Sequence, residues 1–309
     1  VMVVVTVLLL TELKHTFTEF AQRMKNDEMI TLAKFLAISG IILPMLPHKN
    51  LIPDVNITPY SIWLATVVVS GISYLSYLLK RYVFHESGTL VSGIIGGLYS
   101  STATISVLAR KSRKASEQEA TDYVAAMLLA ISMMFLRFMI LILIFSREIF
   151  LSIYPYLLTM AVVAAIVAWF IHSRQKRSND QPVEEEEDDS SNPLEFKVAL
   201  IFAVLFVIFT FLTHYTLVYA GTGGLNLLSF VSGFSDITPF ILNLLQNTGS
   251  VAALIITACS MQAIISNIMV NMFYALFFAG KGSKLRPWIL GGFGVVIACN
   301  LVLLLFFYI

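Results

Sequence analysis

In a chain of 309 residues, 58% are hydrophobic and only 13% are charged, and the mean hydropathy is +0.82. A soluble protein of this length needs far more polar surface, so composition argues for an integral membrane protein. The formal net charge of +1 points to no particular partner, and the chain lacks the strongly basic composition expected of a nucleic-acid binder.

Val1–Leu10 is apolar but too short to cross a bilayer, which takes ~20 residues, and reads as the tail of a truncated membrane helix. Leu13, Phe17, Phe20 and Met24 then share one helical face beside Lys14, Arg23 and Lys25, the pattern of an interfacial helix. Residues 1–27 are assigned to these two pieces and 28–57 to a connecting membrane helix. Long apolar windows follow at Met29–Leu46, Tyr60–Leu79, Leu90–Ala109, Tyr123–Phe145, Phe150–His172, Val198–Ala220, Leu225–Leu245, Val251–Gly280 and Trp288–Ile309. Most have the length of a spanning helix. Residues 173–191 carry Glu184 to Asp189, a run of like charges that repels itself and reads as a disordered linker.

The linker separates two stretches that resemble each other, 58–172 and 192–309. Thr58-Pro59-Tyr60 matches Asn192-Pro193-Leu194, Gly97-Leu98-Tyr99-Ser100 matches Gly233-Phe234-Ser235-Asp236, and Ala130-Ile131-Ser132 matches Ile264-Ile265-Ser266. The offset is nearly constant, at about 135 positions. Each repeat reads as a helix, a Gly/Ser/Thr-rich element and two further helices. The unusual element is Leu90–Ala109 in the first repeat and Leu225–Leu245 in the second. It is either a helix with a small-residue face or a re-entrant, broken element, because non-helical backbone at membrane depth survives only where protein or water satisfies it. Charge separates the two readings. With every window crossing, the loop cations divide about evenly between the two faces. With both elements turning back, all but four of the 20 Lys and Arg residues fall on one face. The exceptions are Lys49 and Arg147 on the opposite face and Lys34 and Arg137 inside windows. The positive-inside rule makes the basic face, and the linker 173–191, cytoplasmic. The expected fold is therefore an all-α polytopic membrane protein made of inverted repeats, with two hairpins dipping toward each other from opposite leaflets.

Asp236 is the only acidic residue well inside an apolar window, a costly placement that marks a site or a partnered charge. With Ser235 and Thr238, and with Ser100, Ser101 and Thr102 of the first repeat, it offers oxygen ligands to Mg²⁺ or another cation. The plainer reading makes Asp236 the N-cap of a half-helix. Arg137, midway along its window, needs water or an acceptor, and Asp236 is the obvious partner. Ser266, Asn267 and Asn271 are polar positions on Val251–Gly280 that either glue helices together or line a path. His214 reads as a structural histidine. Zinc-protease, Walker and nucleophile-elbow motifs are absent from the sequence, so no enzymatic activity and no cofactor is expected beyond a bound cation. Gly221-Thr222-Gly223-Gly224 is read as a turn.

The motif Gly96-Gly97-Leu98-Tyr99-Ser100-Ser101-Thr102-Ala103-Thr104, with Leu108-Ala109-Arg110, Phe135-Leu136-Arg137, Asn192 to Lys197 and Ser266-Asn267, resembles the C-terminal membrane domain of unknown function in MgtC/SapB-type bacterial proteins. The resemblance covers nearly all of residues 30–309. It implies a bacterial inner-membrane location and a link to Mg²⁺ homeostasis, and it supplies no catalytic residue. The expectation is a channel or secondary transporter for a small inorganic ion, in the first instance a cation, with the lipid bilayer, that ion and further copies of the chain in a homo-oligomer as its partners. The alternative is a regulatory or scaffolding membrane protein that acts on another transporter.

Overall fold

The computed structural model describes residues 26–52, 55, 57–84, 88–113, 117–174, 196–246, 251–280 and 283–308. The interfacial helix expected before residue 26 and nearly all of the acidic linker lie outside them. The chain divides into two units, 1–46 and 47–309. In the first, the described element is α1 (Asn26–Met45), an apolar helix with Pro44 at its end.

The second unit is helical throughout its described elements, apart from an isolated bridge between Ile52 and Val55. Its helix α2 (Pro59–Leu78) begins at a capping box. Thr58 Oγ1 accepts from Ser61 N at 3.0 Å, Ser61 Oγ accepts from Thr58 N at 3.2 Å, and Pro59 occupies the first turn. A π-helical turn, Leu79–Val83, extends it. There follow α3 (Thr89–Lys111), α4 (Glu117–Phe145), α5 (Arg147–Ser173), α6 (Phe196–Ser232), α7 (Ile237–Gln246), α8 (Ala253–Ala279) and α9 (Arg286–Tyr308). Among the described residues, eight helices, α1 included, are long and apolar enough to cross a membrane, and α7 is shorter. The window Leu225–Leu245 is not one helix. It holds the end of α6, a break at 233–236, and α7.

Two of the long helices are not straight rods. Ser100 leaves helical geometry inside α3 (φ −158°, ψ 106°). A Cβ built on Gly96 would fall 2.5 Å from Thr104 Oγ1, although eight residues of straight helix separate such positions by about 12 Å. Length and composition would let α3 cross, but its arms 89–99 and 101–111 pack against each other around Ser100. In α6 the break is Gly221 (φ 59°, ψ −151°), a backbone region open to glycine and strained for other residues. There a Cβ on Gly224 would lie 2.8 Å from Thr216 Cγ2, again eight residues back.

Contacts between helices identify which ends lie together. At one end of the bundle Asp122 meets His172 at 2.7 Å, joining the start of α4 to the end of α5. At the same end the Arg113 guanidinium, just beyond α3, donates to the Phe277 carbonyl at 3.3 Å and to that of Phe278, in the last turn of α8. Arg110 lies 4.4 Å from the Phe278 ring centre. At the other end Thr257 Oγ1 donates to Ser152 Oγ at 3.4 Å, and Gln246 Nε2 donates to the Ser61 carbonyl at 3.4 Å. The central core is carried by α4, with Phe135, Ile131, Met127 and Leu128 fully buried. Long apolar side chains such as Leu227, Val218 and Trp169 face outward, as helices in lipid require.

Candidate functional site

Both broken elements present their breaks to the same cavity, of about 450 Å³. Its wall takes Tyr99, Ser100, Ser101 and Thr102 from the bend of α3, Ser235, Asp236 and Thr238 from the break between α6 and α7, Arg137 from α4 and Asn267 from α8. Aromatic and aliphatic surface from Phe138, Phe202, Phe234 and Val270 completes it. Ile201 and Phe202 stand near the start of α6 and Tyr274 near the end of α8, so the cavity runs from the breaks toward the end marked by Arg113. Toward the other end α7 closes the bundle, with Ile237 through Leu245 all buried.

Local chemistry explains how each break is held. After the bend, Ser100 Oγ accepts from Ala103 N at 3.3 Å, and after the second break Asp236 Oδ1 accepts from Thr238 N at 2.9 Å. Each is an N-cap for the arm that follows. The carbonyls that end the preceding arms are met by the neighbouring long helix. Arg137 Nη1 donates to the Tyr99 carbonyl at 2.8 Å, Ser266 Oγ to that of Phe230 at 2.7 Å, and Asn267 Nδ2 to that of Gly233 at 3.3 Å. Asn271 Nδ2 in turn donates to Asn267 Oδ1 at 3.0 Å. Freed backbone groups inside a membrane protein need such partners.

Close packing follows from glycine. A Cβ on Gly97 would fall 2.5 Å from Ala130 Cα, and one on Gly93 would fall 2.8 Å from Ala126 Cα. On the other element, a Cβ on Gly233 would lie 2.8 Å from Asn267 N, and Cys259 meets Asn226 at 3.5 Å. In both cases contacts advance in the same direction along the two chains, from 93 to 97 against 126 to 130 and from 226 to 233 against 259 to 267. The first arm of each broken element therefore runs parallel to the long helix that follows it.

The structure brings together Ser100, Ser101, Thr102, Arg137, Ser235, Asp236, Thr238 and Asn267. Ser266 and Asn271, expected with them, are buried behind the wall and hold the second break and Asn267 in place. The expected Arg137–Asp236 ion pair does not form: among the described residues no nitrogen–oxygen contact within 4.0 Å joins them. Asp236 nonetheless attracts Arg137 electrostatically. Arg137 Nε is buried with no hydrogen-bond partner. Among the described residues no group of three or more His, Cys, Asp or Glu side chains could hold a metal ion, so Asp236 as a metal ligand would depend on hydroxyls, carbonyls and water.

Sequence reasoning missed the contribution of α2. Thr66, Ser70, Ser73 and Tyr77 are all buried, and Ser70 and Ser73 line the cavity. Their spacing of four, three and four residues places them on one helical face, a signal present in the sequence and masked by the apolar residues between them. The matching wall from α6 (Ile201, Phe202, Leu205) is apolar.

Burial, breaks and apolar spans together define a polytopic helical membrane protein with a cavity among its helices whose mainly apolar wall carries a cluster of polar side chains. The chain belongs to the DUF4010 family, a domain of unknown function, whose match covers residues 67–279. It is also similar to a protein of Aquifex aeolicus (strain VF5) described as an uncharacterized protein. The two are 25% identical over 224 residues, spanning 72% of this chain and 96% of the relative. No solved structure matches it significantly.

Proposed function

We propose that this DUF4010 protein is a channel or secondary transporter that carries a small charged solute through the cavity between its two broken elements. The observation that carries this reading is the convergence of both breaks on one cavity with Asp236 and Arg137 in its wall. Broken helices meeting at a polar site are the recurring device of secondary transporters. An ionisable side chain there is costly enough to mark function by default.

The topology that accompanies this reading has α3 entering and leaving on one face, and 222–246 entering and leaving on the other, so that the repeats are inverted. Its support is the parallel packing of each first arm on the following long helix. A straight crossing would make those neighbours antiparallel. Arg113 against the end of α8 also agrees with a single basic, cytoplasmic face. Single cysteines replacing Arg113 and Lys284, in a background lacking Cys259 and Cys299, are expected to react with an impermeant reagent from the cytoplasmic side only. Labelling of the two from opposite sides would end the re-entrant topology.

A cation as the solute rests on Asp236 and the hydroxyls around it, and magnesium on the MgtC/SapB resemblance alone. Among the described residues Asp236 is the one carboxylate lining the cavity and Arg137 shares its wall, a thin donor set for Mg²⁺, which favours octahedral oxygen ligands. Uptake into liposomes holding the purified protein tests transport, with inorganic cations, inorganic anions and amino acids offered in turn. Asp236→Asn is expected to lower the flux about tenfold or more, the effect of losing one charge-assisted contact. A wild-type protein that moves none of them would refute transport. It would favour the scaffolding alternative, with which the capping role of Asp236 and the carbonyl contact of Arg137 agree.

A further inference from the structure

We infer that the solute is a short zwitterion of the α-amino-acid type, its carboxylate held by the Arg137 guanidinium and its ammonium by the Asp236 carboxylate. This rests on the transport reading above and narrows it to a substrate class.

The two charges line the same cavity without pairing to each other. Each is anchored through one atom and keeps another available. Arg137 is tied to the bend of α3 through Nη1, its Nε is enclosed without a partner, and Nη2 is left to donate to a ligand. Asp236 caps α7 through Oδ1, which leaves Oδ2 to accept from a ligand. An unpaired guanidinium and an unpaired carboxylate facing one cavity form a bipolar wall. A lone cation entering it meets the repulsion of Arg137, and a lone anion that of Asp236. A molecule carrying both charges on neighbouring atoms meets two attractions and leaves neither wall charge uncompensated.

Volume points the same way. At about 450 Å³ the cavity exceeds the needs of a bare ion and falls in the range of small-molecule sites, ~300–1,000 Å³. Phe138, Phe202 and Phe234 supply apolar surface for a side chain. The charges also belong to different parts of the bundle, one on α4 and the other just before α7. Arg137 holds the bend of α3 and Asp236 begins α7, so a ligand spanning them would join the two broken elements.

The test uses the full chain in lipid nanodiscs for binding and in liposomes for uptake. The probes are the common amino acids and glycine betaine, the amine and the acid left when either charged group of an active amino acid is removed, and KCl and MgCl₂. At least one amino acid is expected to bind and to be taken up, and its two single-charge fragments to compete poorly. Asp236→Asn, which preserves the cap because asparagine also caps helices, is expected to weaken amino-acid binding about tenfold or more. The same variant is expected to improve competition by the acid fragment. Arg137→Lys, which keeps the charge but loses the planar fork, is expected to weaken binding less than Arg137→Gln. Melting curves of each variant separate loss of binding from loss of folding. Uptake of a lone ion with no amino-acid binding overturns the zwitterion and leaves transport standing. Amino-acid binding without any uptake upholds the site and refutes transport. Amino-acid binding unchanged in both Asp236→Asn and Arg137→Gln overturns the assignment of these residues.

Discussion

Replacing Gly93 and Gly97 together by alanine is expected to destabilise the protein by about 3 kcal/mol or more, since each overpacked site typically costs ~1–3 kcal/mol. The added methyl groups would fall 2.8 Å from Ala126 Cα and 2.5 Å from Ala130 Cα. Those neighbours are backbone, which cannot rotate away as a side chain can. The first arm of α3 must then move off α4, and the Arg137 contact to the Tyr99 carbonyl moves with it. Gly71→Ala is the matched control. Nothing lies within 4 Å of its Cβ position, and alanine gains ~0.5–1 kcal/mol over glycine inside a helix. Thermal unfolding in detergent, read by monodispersity, should show the double variant collapsing and the control unchanged or slightly stabilised. Equal melting temperatures for all three would mean that the close approach of α3 to α4 is wrong.

Asn267→Leu is the second large effect. The side chain lies at the centre of a chain of hydrogen bonds, donating to the Gly233 carbonyl and accepting from Asn271. Leucine has nearly the same size and removes both contacts, leaving a break carbonyl and a fully buried amide without partners. Orphaned buried groups cost ~1–3 kcal/mol each, moderated in membranes where the unfolded chain also finds partners. A loss of about 2 kcal/mol is expected, together with loss of uptake, because the break that carries Asp236 is no longer held. Asn267→Leu combined with Asn271→Leu should recover part of the stability but not the uptake, since the second substitution removes the stranded amide and leaves the break unsupported. Additive losses of stability would show that the two asparagines do not act as a unit.

Much of this architecture can be read from the chain because bilayer thickness and apolar length constrain each other so tightly. The windows from Tyr60 onward correspond to helices, with Leu225–Leu245 divided at 233–236, the Gly/Ser/Asp cluster expected to interrupt it. The turn at Gly221-Thr222-Gly223-Gly224 corresponds to the break in α6. Register between the two matched stretches is harder to read. Gly97 packs on Ala130 and Gly233 on Ser266, so Ala130 corresponds in packing to Ser266 and not to Ile264. Apolar helices tolerate a slip of two residues with little change in sequence match. The same slip explains why Ser132 and Ser266 are not equivalent: Ser132 donates to the Ala161 carbonyl of α5, whereas Ser266 donates to the first arm of its own broken element. The absent Arg137–Asp236 pair was beyond sequence reasoning for a different reason. Shared membrane depth makes two charges neighbours, but whether they touch depends on the nearby carbonyls, and that of Tyr99 engages Arg137 in its place.

The contacts of α8 carry a mechanical implication. Its final carbonyls are gripped by Arg113, which follows the second arm of α3, while its middle holds the Gly233 and Phe230 carbonyls of the opposite element. A single stiff rod is thus bolted to both broken elements, so displacing either one would drag on the other. Cutting the Arg113 bolt would let the two swing out of step.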